Sequence, residues 1–332
     1  MTNKTIVVTG AGGFIGFHLS KALAIQGHSV IAIDSLKPAY GGNLSDLRWA
    51  ELRRFSNVIQ YKFDLLQVDI SELSSIIESA SIIFHLAAFP GVRQSETNKE
   101  AYFQNNIQVF RRILEVSSNF NLEKLFFASS SSVYGNGVSD GSSSELDAHG
   151  NNLRSFYAET KWQNELDAKI FRSNVSYPVI ALRFFTVFGS FGRPDMAYWS
   201  FAQKIESGQK INLYGIDGGS RNFTFIDDVV KILLKLNDSE LENTVEALNI
   251  ASGNPISAKQ FAEKLMLYMN VPLNDFNNIQ RPNADVEKTW ANTSKLERLI
   301  EEIPHTDIDK GIQDFIEWFK DQPSEIRGYK TI

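Results

Sequence analysis

The chain has 332 residues, of which 43% are hydrophobic and 22% charged, an ordinary composition for a globular protein of one large or two medium domains. A net charge of −6 argues against nucleic-acid binding, and no apolar run approaches the roughly 20 residues of a membrane helix. Cysteine is absent, which excludes disulfides, thiolate metal sites and a cysteine nucleophile. Since "MTNKTIVVTG" has no secretory signal, we expect a cytoplasmic protein with no nucleic-acid, membrane or metal partner.

Apolar segments separated by helix-compatible stretches fill the first half of the chain. In chain order they are "KTIVVTG", "HSVIAID", "IQYKFDLL", "ASIIFHLAA", "EKLFFASS" and "PVIALRFF". Continuous apolar strands that alternate with helices are typical of a parallel sheet covered on both faces. We therefore predict an α/β fold, a doubly wound, Rossmann-like domain over 1–185. A smaller, mixed C-terminal substrate domain is expected over 186–332, with the chain crossing back to the first domain near 221–237.

Three glycines, Gly10, Gly13 and Gly16, stand between the first strand and a helix predicted over 14–26. The free N–H groups and the positive dipole end of such a helix suit a pyrophosphate. A glycine turn alone is weak evidence, but Asp34 at the end of the second strand strengthens it. A carboxylate there accepts hydrogen bonds from a ribose 2′-hydroxyl and repels a 2′-phosphate. The pattern favours NAD over NADP, although Lys37 nearby acts in the other direction.

Tyr157 and Lys161 lie four positions apart in "SFYAETKWQNE", which places both on one face of a helix. A free tyrosine with a pKa near 10 is a poor base at neutral pH, and a neighbouring ammonium lowers that pKa by stabilising the phenolate. Taken alone, the two residues are more typical of an ordinary surface pair. The nucleotide-binding pattern upstream favours a catalytic role, and "FFASSSSVYG" offers a run of hydroxyls at the end of the fifth strand.

"TGAGGFIG" and the residues above resemble the extended short-chain dehydrogenase/reductases. The second half is most similar to nucleotide-sugar 4-epimerases, in particular UDP-glucuronate 4-epimerases, through "GVRQS", "RFFTVFGSFGRPDMA", "NFTFIDDVV" and "RPNADVEKTWANTSKL". The resemblance implies Ser130, Tyr157 and Lys161 as catalytic residues. It implies an NAD site of Gly10, Gly13, Phe14, Ile15, Gly16, Asp34, Asp64, Leu65, Leu86, Ala87, Ala88, Asn106, Tyr157 and Lys161. The implied substrate site consists of Arg93, Ser131, Ser132, Thr186, Arg193, Arg221, Arg281 and Asp285.

The reaction that this resemblance implies is NAD-dependent epimerisation of a UDP-sugar at C4 through a transient 4-keto intermediate, with UDP-glucuronate giving UDP-galacturonate. The 4-keto form of glucuronate is a β-keto acid, so an epimerase must hold its carboxylate out of alignment with the ketone. Our candidates for that task are Thr186, Arg193, Ser131 and Ser132, with contact to the diphosphate or to solvent as the alternatives for Arg193. Arg221 and Arg281 are expected to hold the UDP diphosphate.

Several alternatives remain open at the level of sequence. Related dehydratases and decarboxylases carry carboxylates just after the catalytic hydroxyl, where this chain has Ser131 and Ser132. The chain therefore lacks the acid–base groups for either dehydration or decarboxylation. A C4 epimerase of UDP-glucose or UDP-N-acetylglucosamine is the alternative enzyme. A sensor or scaffold that binds NAD without catalysis is the alternative from another class. The resemblance also implies a homodimer, paired through helices near 97–120 and 155–172.

Overall fold

The computed structural model describes residues 3–37, 44–137, 141–215, 217–242, 244–273, 276–282 and 285–328. The strands are β1 Thr5–Thr9, β2 Ser29–Asp34, β3 Val58–Lys62, β4 Ile82–His85, β5 Lys124–Ser130, β6 Val179–Phe184, β7 Thr186–Phe188, β8 Asn212–Tyr214, β9 Ser220–Arg221, β10 Phe223–Phe225, β11 Val245–Ile250, β12 Ile256–Ser257 and β13 Asn277–Ile279. Within these ranges the central sheet has seven strands, all parallel, in the order β11-β6-β5-β4-β1-β2-β3.

Helices cover this sheet and the smaller segments beside it. They are α1 Phe14–Ile25, α2 Leu44–Leu52, α3 Ile70–Ile77, α4 Gln94–Thr97, α5 Lys99–Tyr102, α6 Val109–Ser117, α7 Phe156–Phe171, α8 Ala197–Glu206, α9 Ile226–Asp238, α10 Ala258–Met269, α11 Ser294–Ile300, α12 Ile308–Asp321 and α13 Ser324–Arg327. Successive side chains of β1 enter opposite layers: Ile6 and Val8 join one hydrophobic cluster and Val7 the other. The predicted doubly wound α/β fold is confirmed.

The six strands predicted from apolar runs correspond to β1–β6, whereas β11 was not predicted. This strand pairs with β6 at the edge of the sheet, and its first three residues are only partly buried. Glu246 pairs there with Lys295 at 2.7 Å. Because of this charged residue, the segment is not a continuous apolar run and was not recognised as a strand. Helix α9 packs against α1 shortly before β11. The sheet therefore draws on residues beyond 185, and the division into two domains at that point stays a prediction.

The remaining strands form small pairs beside the sheet within the described ranges: β7 with β10, β8 with β13, and β9 with β12. Helices α8, α10 and α12 enclose an aromatic core next to them. Phe223 lies 4.4 Å from Phe261, and Tyr198 lies 4.9 Å from Phe315, both between ring centres. This packing supports the loops that face the carboxyl ends of the central strands.

A buried network fastens helix α7 to the central strands. The Glu165 carboxylate accepts a hydrogen bond from Ser129 Oγ at 2.6 Å and pairs with Arg183 at 2.7 Å, and both side chains of that pair are less than 5% exposed. Arg183 Nη1 also donates to the Tyr134 hydroxyl at 2.9 Å. Because Ser129 precedes the end of β5, the network sets where the start of α7 lies relative to that strand end.

Candidate active site

A cavity of about 810 Å³ runs along the edge where the parallel strands have their carboxyl ends. Open α/β sheets bind their ligands at this edge. Asn106 is the predicted site residue that does not line the cavity. The predicted residues that do are Gly10, Gly13, Phe14, Ile15, Gly16, Asp34, Asp64, Leu65, Leu86, Ala87, Ala88, Arg93, Ser130, Ser131, Ser132, Tyr157, Lys161, Thr186, Arg193, Arg221, Arg281 and Asp285.

The glycine turn after β1 packs so closely that two of its glycines cannot carry a side chain. A Cβ on Gly16 would lie 2.1 Å from the carbonyl oxygen of Gly10. Gly10 itself has φ +73°, and a Cβ there would lie 2.7 Å from the Ala87 nitrogen. Gly13 precedes helix α1 without a capping side chain, so the first N–H groups of the helix stay available beside the cavity. This arrangement fits a dinucleotide diphosphate.

Two carboxylates stand next to this turn. Asp34 accepts hydrogen bonds from the Gly12 and Leu36 amides at 2.9 and 2.7 Å, and burial raises its pKa against the effect of these bonds. Asp64 pairs with Lys37 at 2.5 Å. Burial acts to raise the pKa of Asp64, but the bond from Lys37 and the Leu66 amide lower it overall. Lys37 is the cation near Asp34, and Asp64 neutralises it. Lys37 is therefore a poor partner for a 2′-phosphate, and the residues fit NAD.

Asn106 lies behind the loop that follows β4. Its Oδ1 accepts the Phe89 amide at 2.7 Å, while its Nδ2 donates to the Phe89 carbonyl and to Thr160 Oγ1, both at 3.1 Å. It belongs to a π-helical segment, Phe103–Gln108, a geometry that is frequent at functional sites. Asn106 thus supports the loop after β4 from outside the cavity lining, and its part in the NAD site stays a prediction.

The predicted catalytic residues meet in the middle of the cavity. Tyr157 and Ser130 both line the cavity, and Lys161 Nζ lies 5.9 Å from the centre of the Tyr157 ring. Lys161 is 2% exposed and donates to the Ala128 carbonyl at 2.9 Å. Burial lowers the pKa of Lys161 to about 7. The structure thus brings together a phenol, an amine and a hydroxyl that can bond to one reacting oxygen.

The expected lowering of the Tyr157 pKa by Lys161 is not found in this arrangement. Burial raises the pKa of Tyr157 above its ordinary value, although the hydrogen bond with Ser130 and the positive charge of Arg193 act in the other direction. Lys161 lies beside the ring and directs a donor to Ala128, so burial outweighs its charge. The protein alone therefore keeps the phenol protonated at neutral pH.

Arg193 stands beside this centre. Its guanidinium pairs with Asp195 through two hydrogen bonds, of 3.0 and 2.5 Å, and its amide donates to the Tyr198 hydroxyl at 3.1 Å. Thr186, at the start of β7, and Ser131 and Ser132 line the same cavity. Asp195, which was not predicted, is thus the partner of Arg193, and the binding of a sugar carboxylate by these residues stays a prediction.

Arginines gather at another part of the cavity. Arg221 donates to the carbonyls of Val286 and Glu287 at 2.6 and 3.0 Å, and Arg281 donates to the Tyr214 carbonyl at 3.1 Å. Arg93 pairs with Asp285 at 2.6 Å and lies over the Tyr214 ring, 4.5 Å from its centre. The predicted diphosphate-binding residues are together, but each already has partners within the protein.

Sequence reasoning missed three cavity residues that the geometry makes prominent: Asp195, Tyr214 and Arg48. Asp195 lies inside the segment "GRPDMA", whose resemblance pointed to the site without giving its role. Tyr214 and Arg48 carry no signal in the sequence, since a lone aromatic or a lone arginine has many ordinary uses.

In the part of the chain that the structure describes, no three His, Asp or Glu side chains are close enough together to hold a metal ion, and no helix combines the length and apolarity needed to cross a bilayer.

Residues 6–251 match the NAD dependent epimerase/dehydratase family, and the chain belongs to this family. It is 33% identical to the UDP-glucuronate 4-epimerase of Thermodesulfobacterium geofontis over 98% of this chain and 99% of that relative. It is similar to UDP-glucuronic acid 4-epimerase of Bacillus cereus, solved with UDP-glucuronic acid and NAD, with a TM-score of 0.88 and 29% identity over 95% and 99% of the two chains. The UDP-N-acetylglucosamine 4-epimerase of Methanobrevibacter ruminantium, solved with UDP-N-acetylmuramic acid, has a TM-score of 0.84 and 27% identity over 97% and 100%.

Gly16→Ala tests the glycine turn as a dinucleotide site. The added methyl meets the Gly10 carbonyl, so we expect displacement of the turn, loss of bound NAD on purification, and destabilisation by about 1 to 3 kcal/mol, as for other overpacked sites. Nucleotide released by heating is measured by absorbance, and stability by urea unfolding. Gly141→Ala is the matched control because a Cβ at Gly141 meets nothing within 4 Å. Full NAD content and unchanged stability in Gly16→Ala would contradict the assignment.

Proposed function

We propose that the protein catalyses NAD-dependent epimerisation of a UDP-sugar at C4, with UDP-glucuronate and UDP-galacturonate as the pair that it interconverts. The observation that carries this proposal is the meeting of Ser130, Tyr157 and Lys161 in one cavity, between the glycine turn and Arg193. The names of the relatives support the same reaction, since two of them act on the glucuronate sugar.

Tyr157 and Lys161 act as a coupled acid–base pair. Burial raises the pKa of Tyr157 and lowers that of Lys161 to about 7, so the pair gives up one proton near neutrality. The remaining proton resides mainly on the phenol, and the form with a phenolate and an ammonium is the minor arrangement from which the reaction starts. Tyr157 Oη then takes the proton of the sugar 4-hydroxyl, while Ser130 Oγ bonds to the same oxygen. Bound NAD supplies the hydride acceptor and donor for C4.

The residues after Ser130 set which product leaves the site. Ser131 and Ser132 stand where an elimination would need carboxylates, so the keto sugar is neither dehydrated nor helped to lose CO₂. Arg193 and Thr186 hold the sugar carboxylate away from the ketone plane in this proposal, which is supported by their presence in the lining of the cavity. Arg221 and Arg281, at the far part of the cavity, hold the diphosphate.

Epimerisation of a neutral UDP-hexose or UDP-N-acetylhexosamine is the second candidate. One observation favours it: Arg193 is already paired with Asp195, which lessens its attraction for a substrate carboxylate. A pure NAD-binding sensor fits less well, because it has no use for a phenol, an amine and a hydroxyl that line one cavity.

Incubation of the NAD-loaded protein with UDP-glucuronate, followed by NMR of the products, tests the function. We expect UDP-galacturonate with little CO₂ and little dehydrated sugar, and slower turnover of UDP-glucose and UDP-N-acetylglucosamine. Tyr157→Phe should retain NAD and lose at least about 10²-fold in turnover, since the general base is removed. UDP-xylose or a 4-keto-6-deoxy sugar as the main product would refute the proposal. A Tyr157→Phe variant with most of its activity would refute the assigned base.

The pH dependence of turnover tests the coupled pair. With the pKa of Lys161 at about 7, the pair carries its base form only above that pH, so kcat should rise as pH increases through 7 and then level off. Lys161→Met leaves Tyr157 with its raised pKa, so the rise should move to alkaline pH and kcat at neutral pH should fall. Initial rates between pH 5.5 and 9.5 give both curves. A wild-type kcat that falls as pH passes 7 would show that the fully protonated pair is the active form.

A homodimer in the cytoplasm completes the proposal. Helices α6 and α7 lie side by side, joined by Arg111 and Asp167 at 2.6 Å, and Ile170 on α7 is 76% exposed. We expect sedimentation to give twice the mass of one chain, and Ile170→Glu to weaken association; a monomer at micromolar concentration would oppose it. The cysteine-free composition suits a reducing compartment, which cell fractionation would check.

A further inference from the structure

The segment that leads into Arg193, here named the 189–193 loop, has an unusual backbone. Phe191 has φ +54°, a left-handed conformation that residues other than glycine rarely adopt. Such a conformation persists only where the surroundings hold it. The Phe191 ring packs on Phe17 of α1 and Trp318 of α12, each 5.0 Å away between ring centres. The loop is therefore held in a fixed shape by elements outside it.

Arg48 of helix α2 is the main polar contact of this loop. Its side chain is 1% exposed. Its Nε and Nη2 donate to the Phe191 carbonyl at 2.9 and 2.6 Å, and Nη2 also donates to the Gly192 carbonyl at 2.7 Å. Its Nη1 donates to the Gly12 carbonyl at 3.1 Å. One planar guanidinium thus joins the glycine turn to the backbone directly before Arg193.

Burial of the charged Arg48 side chain among carbonyls is unfavourable by itself. None of the ion pairs within the described ranges includes it, although the negative charge of Asp34 acts on it from nearby. A buried cation that bonds only to carbonyls costs free energy of desolvation. If position 48 served packing alone, an apolar side chain would give a lower free energy. What the guanidinium adds is a set of donors that holds three carbonyls in fixed positions.

His18 of α1 holds the same loop from another side. Its Nε2 lies 2.9 Å from the Ser190 carbonyl oxygen, and a carbonyl only accepts, so Nε2 carries the proton. Burial lowers the pKa of His18 to about 3, which keeps the ring neutral. Ser190, Phe191 and Gly192 are thus bonded in succession to the two helices that flank the glycine turn.

At their other end, the hydrogen bonds of Arg48 lead through Gly12 to Asp34, the carboxylate that is expected to bind the cofactor ribose. The Gly12 amide donates to Asp34 Oδ2, while the Gly12 carbonyl accepts from Arg48. Asp34, Gly12, Arg48 and the 189–193 loop therefore form one continuous chain of hydrogen bonds. Its last member is the backbone of the residue next to Arg193.

We propose that Arg48, assisted by His18, is a positioning residue that sets where Arg193 lies relative to the glycine turn, and thereby the preference of the site for a sugar that bears a carboxylate. The inference rests on the proposed function through the carboxylate role of Arg193. A lysine at position 48 keeps the charge but offers a point donor, which cannot bridge the carbonyls of Gly12, Phe191 and Gly192 together.

Arg48→Lys tests this proposal by binding. Every variant carries Tyr157→Phe to prevent turnover and is loaded with NAD. Calorimetry then measures Kd for UDP-glucuronate and for UDP-glucose. We expect Arg48→Lys to weaken UDP-glucuronate about tenfold, the loss of one charge-assisted hydrogen bond, and UDP-glucose less than about twofold. Arg172→Lys is the matched control, because Arg172 also donates to a backbone carbonyl, that of Val175 at 2.9 Å, but does not line the cavity.

A double-mutant cycle separates positioning from general damage. In an Arg193→Met background, Arg48→Lys should leave the ratio of the two Kd values unchanged. Equal weakening of both sugars, or a ratio that still shifts without Arg193, would overturn the proposal. If Arg48→Lys yields no folded protein, His18→Leu replaces it, and an unchanged ratio there overturns the proposal as well. Failure of the wild type to epimerise any UDP-sugar would refute the proposed function, whereas these binding ratios need no turnover.

Discussion

The parallel register of the central sheet is the constraint on which the site depends. Thr9 lies beside both Ile33 and His85, so the glycine turn, Asp34 and the loop after β4 emerge next to one another. Ser130 ends β5 beside Phe184 of β6 in the same way. Parallel strands need helices on both faces, and the β1 side chains meet that need by joining the two hydrophobic clusters alternately. A shift of register by one residue would exchange the faces and disperse these groups.

Desolvation shifts the pKa values of the acid–base residues at this edge of the sheet. Lys161 and Tyr157 are both displaced from their ordinary pKa values by burial, in opposite directions: the charged form is disfavoured for each. The ordinary pKa values of a tyrosine and a lysine nearly coincide, so these opposite shifts move the proton affinities of the phenol and the amine apart. Transfer of the proton from the phenol to the amine therefore costs more free energy than the ordinary values of a tyrosine and a lysine imply, and the protein alone favours the neutral phenol beside the neutral amine.

Particular residues show what the sequence can predict. Strands β1–β6 are continuous apolar runs, whereas β11 includes Glu246 and Asn249, whose partners Lys295 and Tyr134 come from distant parts of the chain. The proximity of Ser130 and Tyr157 was predicted from resemblance, because spacing alone does not relate a strand end to a helix. The direction of the Tyr157 pKa and the burial of Arg48 depend on tertiary packing, which no local pattern records.

Two buried arginines, Arg183 and Arg48, support different parts of the site. Arg183 is neutralised by Glu165, and together they fasten the catalytic helix to the end of β5. Arg48 is bonded to carbonyls instead, on the side of the glycine turn. Removing one partner of a buried ion pair leaves an uncompensated charge, so the catalytic side tolerates little change. Removing Arg48 leaves carbonyls, which water can satisfy at lower cost. Substrate preference is therefore the more adjustable property of this fold, and the chemistry at C4 the less adjustable one.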